Sequence, residues 1–542
     1  MRKVSIFILS AVLLCSCTKN EKAKGSFTAT IEGCNTKTEL VDGHDLEWQD
    51  GDQILVGVEG SGTSYPYIVT DNQRTSAGFE YMGTGLEPEM TGDYVACYPP
   101  EAWNEACTEV TIPATQTVGG SDEMNRFPMV AFSNSRNLHF KNLCGVVKII
   151  LQQADTRIDR IDIETTQPIA GLFTVSHNST GIPQLTPTSS GSSNRVTLRI
   201  KSIPSIASAS SFYVYLPAGD YSPLAVTLYR ADCKVCTKRA STTISVRRNE
   251  ITTLDLHDAA LNFITAYAPE GAVAGNFTIG LDDNGYRRQV YIAKGNLQYI
   301  GSATPAYWKF AEHQYDVLGA TTGQTSSSQT CDRDLFGWGT TGQNTGAQSY
   351  QPWSMGSTST QFYPSGNYRN NLSGNSDWGY NPISNGGGIG GLWRTPTSDE
   401  MDYILFQRDA STVCGTANAR FLHVDIGAIQ GILIFPDFFS WPDGVPTPQA
   451  SYINDVTYNH TQPISMDDWA ILEQAGCIFL PPSGYRTNTT YNTTVNLYWT
   501  STHFNETQSF SIVFGSNSRS GNLSKEPNNR YAGLAVRLVM DK

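Results

Sequence analysis

The chain has 542 residues, enough for about three domains of ordinary size. Its formal net charge is −13, and charged residues make up only 16% of it. No basic stripe interrupts this acidic balance, which excludes a nucleic-acid partner. Glycine is abundant, aromatic residues reach 11%, and few stretches have helical periodicity. This composition is typical of an exported, mainly β protein.

The N-terminus has the pattern of an export signal. Two basic residues precede the apolar run Val4–Leu14, which is too short for the roughly 20 residues of a membrane-spanning helix. The following "LCSC" resembles the lipobox of bacterial lipoproteins, in which a small residue precedes the lipidated cysteine. Cys17 fits that rule, whereas Cys15 follows a leucine. We predict a signal peptide over 1–16, a lipid on Cys17 and a polar tether over 17–26, with an ordinary secretory signal as the alternative.

Strand patterns follow the tether without helices between them. "RVTLRI" places Val196, Leu198 and Ile200 on one face, which is the alternation of a half-buried strand. Similar runs and turns favour two antiparallel β-sandwiches, over 27–137 and 138–257.

Four short motifs occur in this half in a recognisable order: "LEWQDGDQILV", "HFKNLCGVVKI", "YVYLPAGDY" and "VRRNEITTLDL". They resemble the fimbrillin family of lipoprotein pilus subunits, over roughly Phe27 to His257. The resemblance implies two transthyretin-like β-sandwiches and export to the outer membrane and the fimbrium. It also implies proteolytic loss of the first strand or strands, followed by donor-strand exchange with other pilus subunits. An added strand would satisfy the edges that such a loss exposes.

The predicted processing position departs from the family pattern. Processing in the family follows an arginine near the start of the first sandwich, but the first arginine after Cys17 is Arg74, inside the domain. Lys37 and Thr38 stand where the family has Arg-Thr. Either a protease of different specificity cuts there, or the subunit stays uncut and anchored by its lipid. A solvated strand lysine is the remaining interpretation.

The chain changes character after a predicted linker over 258–275. Eight of the ten tryptophans lie between Trp308 and Trp499. Two helices are predicted: Thr397 and Glu400 would form a capping box in the first, and "SMDDWAILEQAG" has a serine cap and a glycine stop.

The motifs "WRTPT", "YWTS" and "VRLV" resemble the C-type-lectin-like fold in its sulfatase-modifying, formylglycine-generating-like branch. The resemblance implies an α+β domain over 276–542. Enzymes of that branch use a cysteine pair or a metal-bound thiol, whereas Cys331, Cys414 and Cys477 are single and far apart. We therefore expect a non-catalytic binding domain, with no metal and no cofactor.

Other chemistry-bearing residues favour structural interpretations. Nine of the 11 cysteines lie beyond the signal region, an odd and scattered set that excludes a disulfide scaffold. A Cys97–Cys107 bridge is left open, and Cys233-x-x-Cys236 lacks the second pair of a zinc site. "LDDNGYR" lacks the later glutamate of a calcium loop and favours a hairpin turn. Three acidic pairs could serve a hydrolase only across a cleft: Asp332 with Asp334, Asp437 with Asp443, and Asp467 with Asp468.

Tryptophans in loops rich in Gly, Ser, Pro and Asn are candidates for a ligand surface, because aromatic faces stack on sugar rings. These are Trp353, Trp378 and Trp441. Packing of the loops onto the domain is the alternative for each. The tryptophans in strand or helix settings are predicted to be core: Trp308, Trp393, Trp469 and Trp499.

Together these features predict a minor or tip fimbrial subunit at the cell surface. Its C-terminal domain would adhere to a host or bacterial surface glycan or protein, and only its lipid would contact the membrane. The alternative is a monomeric outer-membrane glycan-capture lipoprotein, which would keep its full mature N-terminus. A third interpretation is an enzyme that acts on surface polysaccharide.

Overall fold

A computed structural model describes residues 26–33, 47–118, 127–154, 156–257, 259–265, 268–320, 323–343, 350–356, 370–457, 459–515 and 522–542. Strands dominate and helices are few, so the mainly β prediction is confirmed. Cys17, Lys37 and Thr38 lie outside the described residues. None of the helices in the described residues has the length and hydrophobicity of a membrane-spanning segment.

The first part of the chain forms a sheet that closes on itself. The strands of this part of the chain are β1 (Phe27–Ile31), β2 (Gln53–Val58), β3 (Ser64–Asn72), β4 (Ser76–Tyr81), β5 (Tyr94–Tyr98), β6 (Glu109–Ile112), β7 (Thr115–Val118), β8 (Met129–Ser133) and β9 (Asn137–Asn142), with a 3-10 turn at Pro100–Ala102; all but β6 and β7 belong to the closed sheet. The order around the barrel is β1-β4-β3-β2-β5-β8-β9. The sequence patterns predict a sandwich of two sheets here. The sheet closes instead, because β1 pairs with β4 on one side and with β9 on the other.

The second part is a two-layer structure. Its strands are β10 (Cys144–Leu151), β11 (Ile158–Thr165), β12 (Ala170–His177), β13 (Pro183–Ser193), β14 (Arg195–Ile200), β15 (Ser210–Pro217), β16 (Gly219–Tyr221), β17 (Leu224–Arg230), β18 (Lys234–Arg239), β19 (Ile244–Val246), β20 (Ile251–Asp255) and β21 (Ile264–Thr265). One sheet has the order β15-β10-β20 and the other β21-β18-β17-β11-β14-β7. One apolar core joins side chains of both sheets. Val196, Leu198 and Ile200 are buried in it, as their alternation predicts.

Two strands that lie between β5 and β8 in the chain, β6 and β7, join the sheets of the second part. β7 pairs in parallel with β14 and β6 pairs with β12, after which β8 and β9 return to the barrel. The boundary predicted at 138 therefore lies within β9. Local patterns mark strands, but they do not indicate which sheet a strand joins.

The C-terminal part combines small sheets with two helices. Its strands are β22 (Phe277–Leu281), β23 (Arg287–Ile292), β24 (Leu297–Ile300), β25 (Tyr307–Phe310), β26 (Phe421–Ile426), β27 (Ile429–Ile434), β28 (Gln462–Ile464), β29 (Ile478–Leu480), β30 (Tyr485–Thr487), β31 (Thr490–Asn492), β32 (Asn496–His503), β33 (Gln508–Phe514), β34 (Ser524–Asn529) and β35 (Val539–Asp541). The helices are α1 (Ser398–Asp402), continued by a π-helical turn (Tyr403–Gln407), and α2 (Met466–Gln474); 3-10 turns lie at Gly374–Ser376, Trp378–Tyr380 and Ala450–Tyr452.

Both predicted helix starts are confirmed. The Thr397 hydroxyl accepts a hydrogen bond from the Glu400 N–H at 3.1 Å, and the Glu400 carboxylate accepts one from the Thr397 N–H at 2.9 Å. Ser465 caps α2 by accepting from the Asp468 N–H at 3.1 Å. Gly476 stops the helix at φ 90°, a backbone conformation that glycine adopts without steric cost.

Candidate functional site

The first strand, β1, is held on both edges and on its inner face. It runs antiparallel to β4 and parallel to β9, so that Ala29 lies between Ala77 and Leu138. Its inward side chains, Phe27, Ala29 and Ile31, are buried. Removing β1 would therefore leave unpaired backbone groups along two strands and open the apolar core.

The aromatic core explains how strongly β1 is embedded. The Phe27 ring meets Tyr67 edge-on with centroids 5.0 Å apart, and it meets Tyr94 at 5.2 Å. Trp48 is fully buried beside them and packs edge-on against Phe79 at 5.0 Å. An alternating strand with large apolar side chains at its ends fits this core.

A polar clasp ties the end of β1 to the second unit; it consists of Glu32, Gly33, Asn142, Arg248 and Asn249. The Glu32 carboxylate accepts from the Asn142 N–H at 2.6 Å and from the Arg248 guanidinium. Asn249 donates through its amide to the Gly33 carbonyl at 2.8 Å. The Glu32 and Arg248 side chains are only 13% and 21% exposed, so this ion pair is poorly screened.

Sequence reasoning missed the clasp because Glu32 and Arg248 are 216 residues apart in the chain. The available signal was the "VRRNE" turn, which places two basic residues and an amide between two alternating runs. That pattern shows a polar turn, and it does not indicate the partner of the turn.

The predicted processing position follows β1 directly in the chain. Lys37 and Thr38 belong to the segment 34–46, which lies outside the described residues and connects β1 to the rest of the barrel. A cut between them would leave β1 bound only by its noncovalent contacts.

The three predicted ligand tryptophans lie in different environments. Trp378 is fully buried in the C-terminal core and its Nε1 donates to the Thr340 carbonyl at 3.2 Å. The prediction that Trp378 offers a ring face to a ligand is therefore wrong. Its loop turns inward because the Asp377 carboxylate accepts from Gly379 and Thr395 backbone N–H groups. Trp353 is half-buried and lies 6.0 Å from the Tyr299 ring, and its role stays a prediction.

Trp441 borders a cleft of about 580 Å³ between the C-terminal part and β18 of the second unit. The ring is half-buried, packs edge-on against Phe435 and Phe439, and donates from Nε1 to the Val445 carbonyl at 3.1 Å. The wall also includes Phe438, whose φ of 57° is strained for an aromatic residue. Polar side chains complete the lining: Asp232, Lys234, Asp443 and Gln474. Aromatic faces with a few convergent polar groups suit a ring-shaped polar ligand.

Two of the candidate acidic pairs include a carboxylate that is committed to the fold. Asp437 is buried and pairs with Arg408 at 2.7 Å; it also accepts from the Thr278 N–H at 2.9 Å and from Gln289 at 3.1 Å. Asp334 is buried and accepts from the Leu318 N–H at 2.7 Å, and burial raises its pKa to about 6. These hydrogen bonds and the ion pair hold both carboxylates inside the folded C-terminal part.

The third acidic pair lies at the start of α2, where the helix dipole favours negative charge. Asp467 and Asp468 occupy the first turn of α2, and the Asp468 carboxylate accepts from the Ser465 hydroxyl at 2.6 Å. The "LDDNGYR" stretch is the turn of the β22–β23 hairpin, as predicted. There the Asp282 carboxylate accepts from the Tyr286 N–H at 2.8 Å.

The cysteines of the described residues are all free thiols. Cys97 and Cys107 are both buried and form no bridge, and burial raises the pKa of Cys97 well above its usual range. Cys233 and Cys236 are buried as well. Across the described ranges, no three His, Cys, Asp or Glu side chains are grouped as metal ligands would be.

Comparison with known proteins adds only distant likenesses. No family model matches the chain, and no curated protein matches it. Solved structures similar to it include a candidate cell adhesion protein from Bacteroides ovatus ATCC 8483, at 12% identity and TM-score 0.30, over 45% of this chain and 95% of that one. A fimbrial protein from Bacteroides ovatus ATCC 8483 is similar at 10% identity and TM-score 0.23, over 95% of this chain and 98% of that one.

The tip fimbrial protein Mfa3 from Porphyromonas gingivalis, with a C-terminal truncation, is similar at 10% identity and TM-score 0.23. That likeness spans 44% of this chain and 98% of the other. TM-scores of this size establish neither a shared fold nor a shared family. The fimbrillin-like and lectin-like assignments therefore stay predictions.

Proposed function

We propose that the chain is a cell-surface lipoprotein that acts as a minor or tip subunit of a fimbrium. The observation that carries the proposal is the setting of β1, which is flanked by β4 and β9 and followed in the chain by Lys37 and Thr38. A cut between those two residues would free the strand. A strand from another subunit would pair again with both neighbours and refill the core.

The C-terminal part, 276–542, is the adhesive domain in this proposal, a non-catalytic domain of C-type-lectin-like fold. The cleft beside Trp441 supports it, because half-buried aromatic rings and polar side chains meet there. Its ligand would be a glycan or a protein on a host or bacterial surface. A single bulky head per fibre is easier to accommodate at a tip than in a repeating stalk.

Attachment to the outer membrane would run through a lipid on Cys17, and release into the fibre would follow a cut after Lys37. The lipobox-like "LCSC" supports the lipid on Cys17, and the position of Lys37 between β1 and β2 in the chain supports the cut. The competing proposal is a monomeric glycan-capture lipoprotein. The Trp441 cleft would serve glycan capture equally well, since glycan capture needs no strand replacement.

The N-terminal sequence and the mass of the protein sheared from its native cell surface test the proposal. We expect a start at Thr38 within high-molecular-mass ladders that contain other subunits. The variant Lys37→Gln should keep its N-terminal segment and leave the ladder, whereas the tether variant Lys24→Gln should behave like the parent. A monomer that keeps a lipidated Cys17 would overturn tip placement and leave either a membrane-anchored pilus base or the glycan-capture proposal.

A further inference from the structure

Two members of the clasp, Glu32 and Gly33, directly follow β1 in the chain. If β1 leaves, Glu32 and Gly33 leave with it, and Asn142, Arg248 and Asn249 stay behind on β9 and on the Arg248-Asn249 turn. Whatever occupies the groove next must meet those same groups.

On the basis of the strand replacement proposed above, we infer that the groove selects its occupant by an acidic residue at the register of Glu32. The occupant is an extended segment of another subunit. It carries a large apolar residue, a small residue and a branched apolar residue at alternate positions, and a carboxylate directly after the last of them.

The charge requirement follows from what the clasp contains. Within the described residues, Arg248 forms its ion pair with Glu32, and the Arg248 side chain is 21% exposed. A strand without a carboxylate would leave this partly buried guanidinium without a charge partner, bonded to the Asn142 carbonyl at 3.1 Å, and it would leave the Asn142 N–H without its acceptor. Leaving a buried polar group unpaired costs more free energy than pairing it gains. The clasp therefore weakens the binding of strands without the carboxylate more than it tightens the binding of strands that have it.

The size requirement follows from the core. Ala29 is fully buried between Ala77 and Leu138. Trp48 fills the same core, with its ring centroid 5.0 Å from that of Phe79 and 5.3 Å from that of Phe140. A larger side chain at the position of Ala29 would overpack rings that are already in contact.

The direction of the occupant is fixed as well. β1 runs parallel to β9, and the Glu32 N–H donates to the Phe140 carbonyl at 2.9 Å beyond the last paired residue. A strand inserted in the reverse direction would place its carboxylate at the opposite end of the barrel from Arg248. The clasp therefore selects the direction of the inserted strand as well as its sequence.

The test uses the mature chain with Cys17→Ser, so that no lipid is attached, and with a site-specific protease sequence inserted after Lys37. The folded protein is cut, and labelled peptides then compete with the bound β1 fragment. The parent peptide is GSFTATIEG, which copies Gly25–Gly33. Two further peptides carry the changes Glu32→Gln and Ala29→Leu.

We expect the parent peptide to bind at least about tenfold more tightly than either changed peptide, because Glu32→Gln loses a charge-assisted contact and Ala29→Leu overpacks the core. Its advantage over the Glu32→Gln peptide should disappear in the Arg248→Gln protein. The matched control is Arg247→Gln, which removes the neighbouring arginine that pairs with Asp220 at 2.9 Å. That protein should keep the preference.

The outcomes separate the two ideas. Equal affinity for the Glu and Gln peptides would overturn the acid requirement and leave strand replacement intact. If no peptide displaces the fragment, strand replacement fails and the selectivity falls with it. If the barrel unfolds on cutting, the same peptides are ranked by how well they restore its resistance to a second protease, and equal ranking again overturns the inference.

Discussion

The variant Asp437→Asn tests whether this carboxylate belongs to the fold or to a catalytic pair with Asp443. Asp437 and Arg408 form an ion pair at 2.7 Å in which neither side chain is exposed. Asparagine keeps the shape of aspartate but carries no charge. Its amide NH2 would also face groups that now donate hydrogen bonds to the Asp437 carboxylate. The change therefore isolates the electrostatic contribution.

The size of the effect follows from burial. Breaking a buried ion pair by removing one partner costs about 3 to 5 kcal/mol, because the remaining charge is left without compensation. Burial already lowers the pKa of Arg408, and Asp437 opposes that shift. Unfolding in urea typically has a slope of about 1 to 3 kcal/mol per molar, so the midpoint should fall by about 1 M or more.

Tryptophan fluorescence is a suitable probe, because eight of the ten tryptophans lie in the C-terminal part. The matched control is Asp443→Asn, an exposed residue on the rim of the same cleft. We expect the control to unfold like the parent. A midpoint for Asp437→Asn that equals that of the control would refute the structural role and return this pair to consideration as catalytic.

Three further predictions follow from burial and charge. Trp378→Ala should cost about 3 to 5 kcal/mol in unfolding free energy. Trp441→Ala should cost less, because its ring is only half-buried, and it should weaken binding on a glycan array; unchanged glycan binding would contradict the cleft assignment. Glu400→Ala should cost about 2 kcal/mol in urea unfolding by removing a cap and a buried ion-pair partner, and an unchanged midpoint would contradict this. Burial lowers the pKa of His423 to about 4. The unfolded chain therefore binds more protons, so His423 should cost about 3 kcal/mol of stability as pH falls from about 6.5 to 4. The raised pKa of Asp334 acts with the opposite sign, so parent and His423→Gln must be compared by pH-dependent denaturation, and parallel curves would refute the assignment.

Local chemistry made several elements predictable. The capping box of Thr397 and Glu400, the serine cap and the glycine stop of α2, and the alternation of Val196, Leu198 and Ile200 each depend on neighbours within a few residues. Such signals are complete in the sequence, because the interacting groups lie within one turn or one strand.

Burial of an individual aromatic ring was less predictable. Trp378 and Trp441 both lie in loops rich in small and polar residues, yet the first is fully buried and the second borders a cleft. Beside Trp378, the Asp377 carboxylate accepts a hydrogen bond from the Thr395 N–H, which joins this loop to a segment 18 residues away. Loop composition does not contain that contact.

The mainly β character, the strand faces and the helix ends are predictable from the order of residues alone, because each follows from periodicity and from short-range hydrogen bonding. Three features appear only in the folded chain: the first sheet closes through β1, β6 and β7 join the second unit, and Glu32 contacts Arg248. These are pairings between residues far apart in the chain. Many arrangements satisfy the same local patterns, and the choice among them depends on how whole strands fit together around a common core.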